Sequence, residues 1–305
     1  MQAMSTAAPR SSQRGLAGWI LRDAPPEAFF VVSAVFHYLG PAFAVLLFAR
    51  VDVLGVMWLR IVSAALIFAV WRRPWRTFMR LSSTGRRLVV AWGVLLTLMN
   101  ASFYIAIDRL PLGTVAAIEF VPVVVLAAVG LRNLRNFGAL ACAVAGVYLL
   151  TEIVIVTEPI GLAFAFANAI LFAGYIVLGH RVAQHGAAAG IDGLAAAMLV
   201  AAVVAMPLGG AGAAPALGDP LALFAGIGVG VSSSVIPYVT DQLAMARLSR
   251  ATYALLVSLL PATAVIVGAI VLAQIPSWVE VAGVALVVAG VAIRNDRTPP
   301  SPDGR

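Results

Sequence analysis

Three ionisable side chains and one amide, His37, Arg60, Glu119 and Asn100, interrupt long apolar stretches of this chain. Arg60 lies eight residues past Asp52 and Glu119 eight past Pro111, which as helix is about 12 Å of depth at 1.5 Å per residue. Asn100 falls roughly 12 Å from the same side, and His37, nine residues beyond Ala28, reaches about 14 Å from the other. One layer is thus expected to hold all four. A charge near a bilayer centre costs about 2.5 to 3.5 kcal/mol on insertion scales, so such groups are candidates for function. A guanidinium binds a carboxylate, and a carboxylate binds an amine or a proton; a layer with both signs suits a zwitterion. The alternative is a structural ion pair between Arg60 and Glu119, with Asn100 as interhelical glue. Tyr38, beside His37, Gly40 and Pro41, sits where the first helix can break.

The C-terminal half offers milder chemistry. Ser232, Ser233, Ser234 and Tyr238, then Thr252 and Ser258, supply hydroxyls, although serines in apolar helices usually bond their own backbone carbonyls. Pro41, Pro122, Pro237 and Pro261 interrupt four spans, and backbone groups freed this way need a cavity or a neighbour. Gly226, Gly228 and Gly230 form a packing pattern first and a cavity wall second. Glu152 and Asp241 fall near span ends and read as structural. HExxH, CxxC, GxxxxGK[ST] and GxSxG are all missing, so enzymes, metal sites and cofactors are not expected. Gly230-Val-Ser232 could belong to an intramembrane serine protease, but the later spans carry no histidine at that depth.

The elements that must position these residues follow from composition. With 62% hydrophobic and 11% charged residues and a mean hydropathy of +1.00, the chain is far more apolar than soluble domains, which carry roughly 25% charge. Ten runs of membrane-crossing length are predicted at 28–48, 53–71, 88–107, 111–130, 137–155, 159–179, 192–210, 219–239, 251–273 and 277–293, the seventh blurring into Gly209 to Pro220. All basic residues are arginines; 17 of 20 lie in the tails or after even-numbered spans, whereas Arg50 and Arg109 occupy opposite loops. By the positive-inside rule both termini face the cytoplasm. The pI near 10.5 then reflects topology and anionic lipid rather than nucleic acid. Residues 1–27 and 294–305 are expected to be cytoplasmic tails, the first span serving as an uncleaved anchor. Cys142 is alone; with Gly138 and Gly146 it forms a small-residue face where helices approach closely.

The chain also repeats itself. Arg109-Leu110, Thr114 and Ala116 return as Arg247-Leu248, Thr252 and Ala254, and Pro122 returns as Pro261. Two five-helix repeats, 28–155 and 156–293, are expected to be inverted relative to each other, because five is odd. The fold class is therefore an all-α membrane protein of ten helices.

Asn100-Ala-Ser-Phe-Tyr104-Ile-Ala-Ile, Arg109-Leu-Pro-Leu-Gly113, Ile118-Glu119-Phe120 and Pro122, followed by Ile236-Pro237-Tyr238, Arg247-Leu248, Thr252 and Ser258-Leu-Leu-Pro261, resemble the EamA-type transporters of the drug/metabolite transporter superfamily, most closely the threonine/homoserine exporter branch. The likeness spans about 28 to 293. It departs at Leu260, where that branch commonly has an acidic residue, and at Ala273-Gln274, where many members have Gly-Glu. The resemblance implies alternating-access export of small polar metabolites, amino acids above all, through the inner membrane, with proton coupling as an option. Glu119 would be the proton or amine site and Arg60 its partner or the carboxylate anchor. His37, Tyr38, Asn100, Tyr104, Tyr238 and Ser258 would shape the cavity. The partners are a small-molecule substrate and lipid, with a homodimer left open. The alternatives are efflux of lipophilic cations or aromatic metabolites and, from another class, a non-transporting membrane assembly protein.

Overall fold

The computed structural model describes residues 25–129, 134–151, 158–183, 187–248 and 259–293, with Tyr253 and Leu256. Among these residues every regular element is a helix, and the described part of each apolar run is largely helical. In chain order they are α1 (Pro26–Leu47), α2 (Val53–Arg72), the short α3 (Pro74–Arg80), α4 (Ser83–Ile107), α5 (Leu112–Val129), α6 (Leu134–Thr151), α7 (Pro159–Ala183), α8 (Ala187–Gly209), the short α9 (Ala214–Gly218), α10 (Pro220–Gly230), α11 (Ile236–Met245), α12 (Leu259–Leu272) and α13 (Trp278–Ile293). A five-residue π-helical turn, Val231–Val235, joins α10 to α11. Six helices are long and apolar enough to cross a membrane, counting Pro220–Met245 as one. The tails at 1–24 and 294–305, with Glu152, Thr252 and Ser258, lie outside the described residues.

Local chemistry sets the helix ends. The Asp52 carboxylate accepts from the N–H groups of Leu54 and Gly55 and starts α2; Asp219 does the same for α10 through Leu221 and Ala222. These side chains satisfy donors that the first helical turn leaves unpaired. Arg73 takes a left-handed conformation (φ 51°) before Pro74 and separates α2 from α3. Pro41 does not break α1, which runs through it, and Pro41 itself is buried.

The core is a layer of buried apolar side chains shared by α1, α2, α4, α5, α7, α8 and α10 to α12. The outside is as apolar as the inside. Val70 is 85% exposed and Ile270 78%, a surface that suits lipid and would drive aggregation in water. Two salt bridges fasten opposite ends: Arg72 to Asp192 at 2.6 Å and Arg50 to Asp219 at 3.1 Å. α6 packs on α13 at one side of the bundle. There the expected close-packed face narrows to Gly146, which is buried; Cys142 is half-buried and a Cβ on Gly138 would meet open space, so Gly138 is not at a close approach.

Ala273, which follows α12, is left-handed at φ 53°. An L side chain pays roughly 1 to 2 kcal/mol there, while glycine carries an extra unfolded-chain penalty of about 0.5 to 1 kcal/mol. Ala273→Gly is therefore expected to stabilise the protein by about 0.5 kcal/mol, the difference between these two terms. A melting temperature equal to or below that of the parent would contradict it.

Candidate functional site

The centre is built around Arg60, which is 3% exposed. Its reach is decided on another helix. Pro237 has no N–H, so the Ser233 carbonyl, four residues earlier, has no α-helical donor. The chain responds with the π-helical turn, in which the Ile236 N–H reaches the Val231 carbonyl. The Arg60 guanidinium then donates to the Ser233 carbonyl at 2.7 Å and to Ser234 Oγ at 2.8 Å. A longer contact of 3.4 Å runs to the Tyr238 hydroxyl. The guanidinium also lies 5.5 Å from the Tyr104 ring centre and 5.9 Å from that of Tyr238, within the range of cation–π attraction.

Glu119, equally buried, accepts from the Tyr38 hydroxyl at 3.0 Å and from Asn168 Nδ2 at 2.9 Å. The ion pair between Arg60 and Glu119 that the alternative, structural reading calls for is not formed. Each charge is held by neutral groups instead: the proline-orphaned carbonyl and the serines take the guanidinium, and an amide and a phenol take the carboxylate. A buried charge is tolerated only with such partners. Asn100 donates to its own helix at Leu96 (2.7 Å) and to the Tyr238 hydroxyl (3.4 Å); it touches neither charge. His37 is packed by rings, 5.3 Å from Tyr38 and 5.8 Å from Phe172.

The serines divide. Ser232 bonds its own helix at Gly228 (2.7 Å), as expected for a helical serine, while Ser234 accepts from Arg60. Gly226 and Gly230 pack against Leu59 and Ser63 on α2, and Gly228 faces open space along a lipid-side groove. Of the expected site residues, the structure gathers Arg60, Tyr104, Tyr238 and Asn100 in one group and Glu119, Tyr38 and His37 in its neighbour.

Asp241 requires a correction. It is 2% exposed, not bathed at a span end, because α1 and α7 close over it. Ser33 donates to it at 2.5 Å and Tyr175 at 3.2 Å. Asn168, Ser33 and Tyr175 were not legible as site residues. The available signal was spacing: Asn168, Phe172 and Tyr175 repeat at i, i+4 and i+7 in an otherwise apolar helix, which places them on one face.

Three polar atoms in the centre are buried without a hydrogen-bond partner among the described residues: the Tyr104 hydroxyl, Ser233 Oγ and Asn168 Oδ1. The Tyr104 hydroxyl and Ser233 lie beside Arg60 without good hydrogen-bond geometry, and Asn168 belongs to the Glu119 group. Each charge therefore has unused hydrogen-bonding capacity next to it. Native interiors leave few such groups.

Comparison with known proteins gives a consistent result. Residues 159–295 match the EamA-like transporter family. The threonine/homoserine exporters RhtA of Salmonella typhimurium (strain LT2) and of Escherichia coli (strain K12) are each 30% identical over 254 residues, covering 82% of this chain and 84% of theirs. A solved crystal structure with 19% sequence identity covers 87% of this chain and 96% of its own at a TM-score of 0.58, a likeness of fold. A chain with these relatives and this apolar helical bundle belongs to the EamA-like transporter family: it is a membrane transporter of small metabolites, not an enzyme.

Proposed function

We propose that the protein exports small zwitterionic amino acids of the threonine or homoserine kind by alternating access, binding them between Arg60 and Glu119. The observation that carries this reading is the separation of the two charges. A guanidinium and a carboxylate share the buried centre without neutralising each other, and each has a polar atom to spare beside it. A substrate carboxylate would take Arg60 with the Tyr104 and Ser233 hydroxyls; its ammonium group would take Glu119 with Asn168 Oδ1. Arginine's planar fork suits a carboxylate, and the relatives are exporters of two such amino acids.

The architecture proposed with it is ten membrane helices in two inverted repeats, 28–155 and 156–293, flanked by cytoplasmic tails. Helix pairing supports it. The partners of α1, namely α11 and α12, correspond under exchange of the repeats to α4 and α5, the partners of α7; α2 with α8, α5 with α12 and α6 with α13 exchange into themselves. Asn100 and Tyr238, which meet at 3.4 Å, are 138 positions apart, the same offset that relates Arg109 to Arg247. The arginine bias supports cytoplasmic termini; a reporter fused after Arg305 and active only outside would overturn that.

Glu119→Gln tests the site. Glutamine keeps an oxygen for Tyr38 and, with the Asn168 amide turned over, gives an N–H to the otherwise unpartnered Asn168 Oδ1; no ion pair is broken, so the variant is expected to fold normally. Counterflow of L-threonine in proteoliposomes should fall at least a hundredfold, about 2.7 kcal/mol of lost binding or transport, and any pH dependence carried by this carboxylate should go with it. Parental flux with an unchanged pH profile would sink the assignment.

A further inference from the structure

Glu119 and Asp241 are held in the same way by the same two helices. α1 gives Tyr38 to Glu119 and Ser33 to Asp241; α7 gives Asn168 to Glu119 and Tyr175 to Asp241. These donors lie five residues apart on α1 and seven on α7, a spacing of roughly 7 to 10 Å at 1.5 Å per residue. The two helices run in opposite senses, so Ser33 and Tyr175 mark one level and Tyr38 and Asn168 the next. Asp241 is on the side where Arg181 and Arg247 end their helices. Aromatic rings fill the interval: His37 against Tyr38 and Phe172, Phe172 against Tyr175 at 6.0 Å, and Tyr175 against Tyr238 at 5.4 Å.

The helix that supplies Asp241 also supplies the arginine's cradle. Ser234, Tyr238 and Asp241 repeat at i, i+4 and i+7, one face of α11 and the turn before it. A group moving along this face passes from Asp241, past the Tyr238 hydroxyl, to the Arg60 and Glu119 centre.

Asp241 makes no ion pair among the described residues. Ser33 occupies one of its oxygens and Tyr175 the other, both neutral hydroxyls, with Tyr253 also turned towards it. A carboxylate has about four lone-pair sites, so the three hydroxyls leave one of them open. A merely structural aspartate at a helix end would cap backbone or face water; this one is sealed in a cage of hydroxyls, one level below a second carboxylate built alike.

We propose that Asp241 is a second substrate-ammonium site, the first one reached from the arginine-bearing face, and that the amine passes from Asp241 to Glu119 as the transporter changes conformation. The proposal rests on the zwitterion reading above, with hydroxyl donors to Asp241 displaced by the ammonium N–H groups.

The test is sided uptake in oriented proteoliposomes, with L-threonine as substrate and its amine-free counterpart, 3-hydroxybutyrate, as competitor. In Asp241→Asn, which keeps an oxygen for one of the two hydroxyls and offers the other an N–H to accept but carries no charge, half-saturation from the arginine-bearing face should rise tenfold or more. From the opposite face it should stay within twofold. Preference for threonine over 3-hydroxybutyrate should fall at the first face only. Tyr175→Phe removes a competing hydroxyl and should lower half-saturation at that face at least threefold, which decides the matter if the asparagine variant does not fold. Equal effects on both faces, or none on either, would overturn the proposal. A changed pH profile with unchanged discrimination between threonine and 3-hydroxybutyrate would also overturn it, assigning Asp241 to a proton. Loss of sided discrimination in Asp241→Asn alongside parental flux in Glu119→Gln would leave Asp241 standing and remove Glu119; the reverse pattern would do the opposite.

Discussion

Arg60→Gln is expected to abolish amino-acid counterflow and to lower stability by about 2 to 4 kcal/mol, and the stability loss should shrink when Pro237→Ala is added. Hydrogen bonds to charged groups contribute roughly 1.5 to 3 kcal/mol each, and an unsatisfied buried acceptor costs about 1 to 3. Arg60 makes two short ones, to the Ser233 carbonyl and Ser234 Oγ; release from burying a charge offsets part of their loss. The carbonyl needs Arg60 because residue 237 is a proline. Alanine there restores an N–H, so the Ser233 carbonyl can regain a helical donor without the guanidinium. The two substitutions should then couple by at least 1 kcal/mol in a double-mutant cycle of thermal unfolding. Arg60→Lys keeps the charge but not the fork, and reaches one acceptor rather than two; its flux should stay at least tenfold below the parent. Additive losses in the cycle would show that Arg60 does not compensate Pro237. Parental flux in Arg60→Gln would remove the guanidinium from substrate binding.

The second large effect is expected at Gly40. A Cβ there would run into Ser233 Oγ, with the Ser233 backbone nitrogen at 2.8 Å and Ser232 Oγ at 2.9 Å. Backbone cannot yield as a flexible side chain can. Gly40→Val should therefore push α1 away from the π-helical turn, with an overpacking cost of about 1 to 3 kcal/mol or more. Because that turn aims the Ser233 carbonyl at Arg60, transport should fall further than stability alone explains: folded Gly40→Ala protein, purified and assayed at equal amounts, should retain less than a tenth of the parental flux. Ser233→Gly removes the nearest atom and should restore part of the stability of Gly40→Ala. Normal flux and melting temperature in Gly40→Ala would mean that α1 and the turn are not held at this distance.

Much of this was written into the sequence. Apolar runs of membrane length require helices, since unpaired backbone cannot face lipid, and the described parts of these runs are largely helical. Arg60 and Glu119 stood out because charge is rare in such runs, and both are buried as expected. Their pairing was not legible. Depth places two groups in one layer, but rotation about each helix axis and the tilt between helices decide whether they meet, and a single sequence carries neither directly. Asp241 was misplaced for a related reason: counting residues from a helix end gives depth, not cover, and the cover comes from Ser33 and Tyr175 on helices far away in sequence.

By itself the sequence determined the solvent of this protein, its helical class, the arginine-bearing face and the charged residue types within its apolar spans, because these follow from transfer free energies and local periodicity. The tertiary structure decided who holds whom: Arg60 with a carbonyl orphaned by Pro237, Glu119 with Tyr38 and Asn168, Asp241 with Ser33 and Tyr175. Those contacts join residues 49 to 208 positions apart, and short-range directional bonds between such partners exist only once packing has fixed every helix's rotation and height.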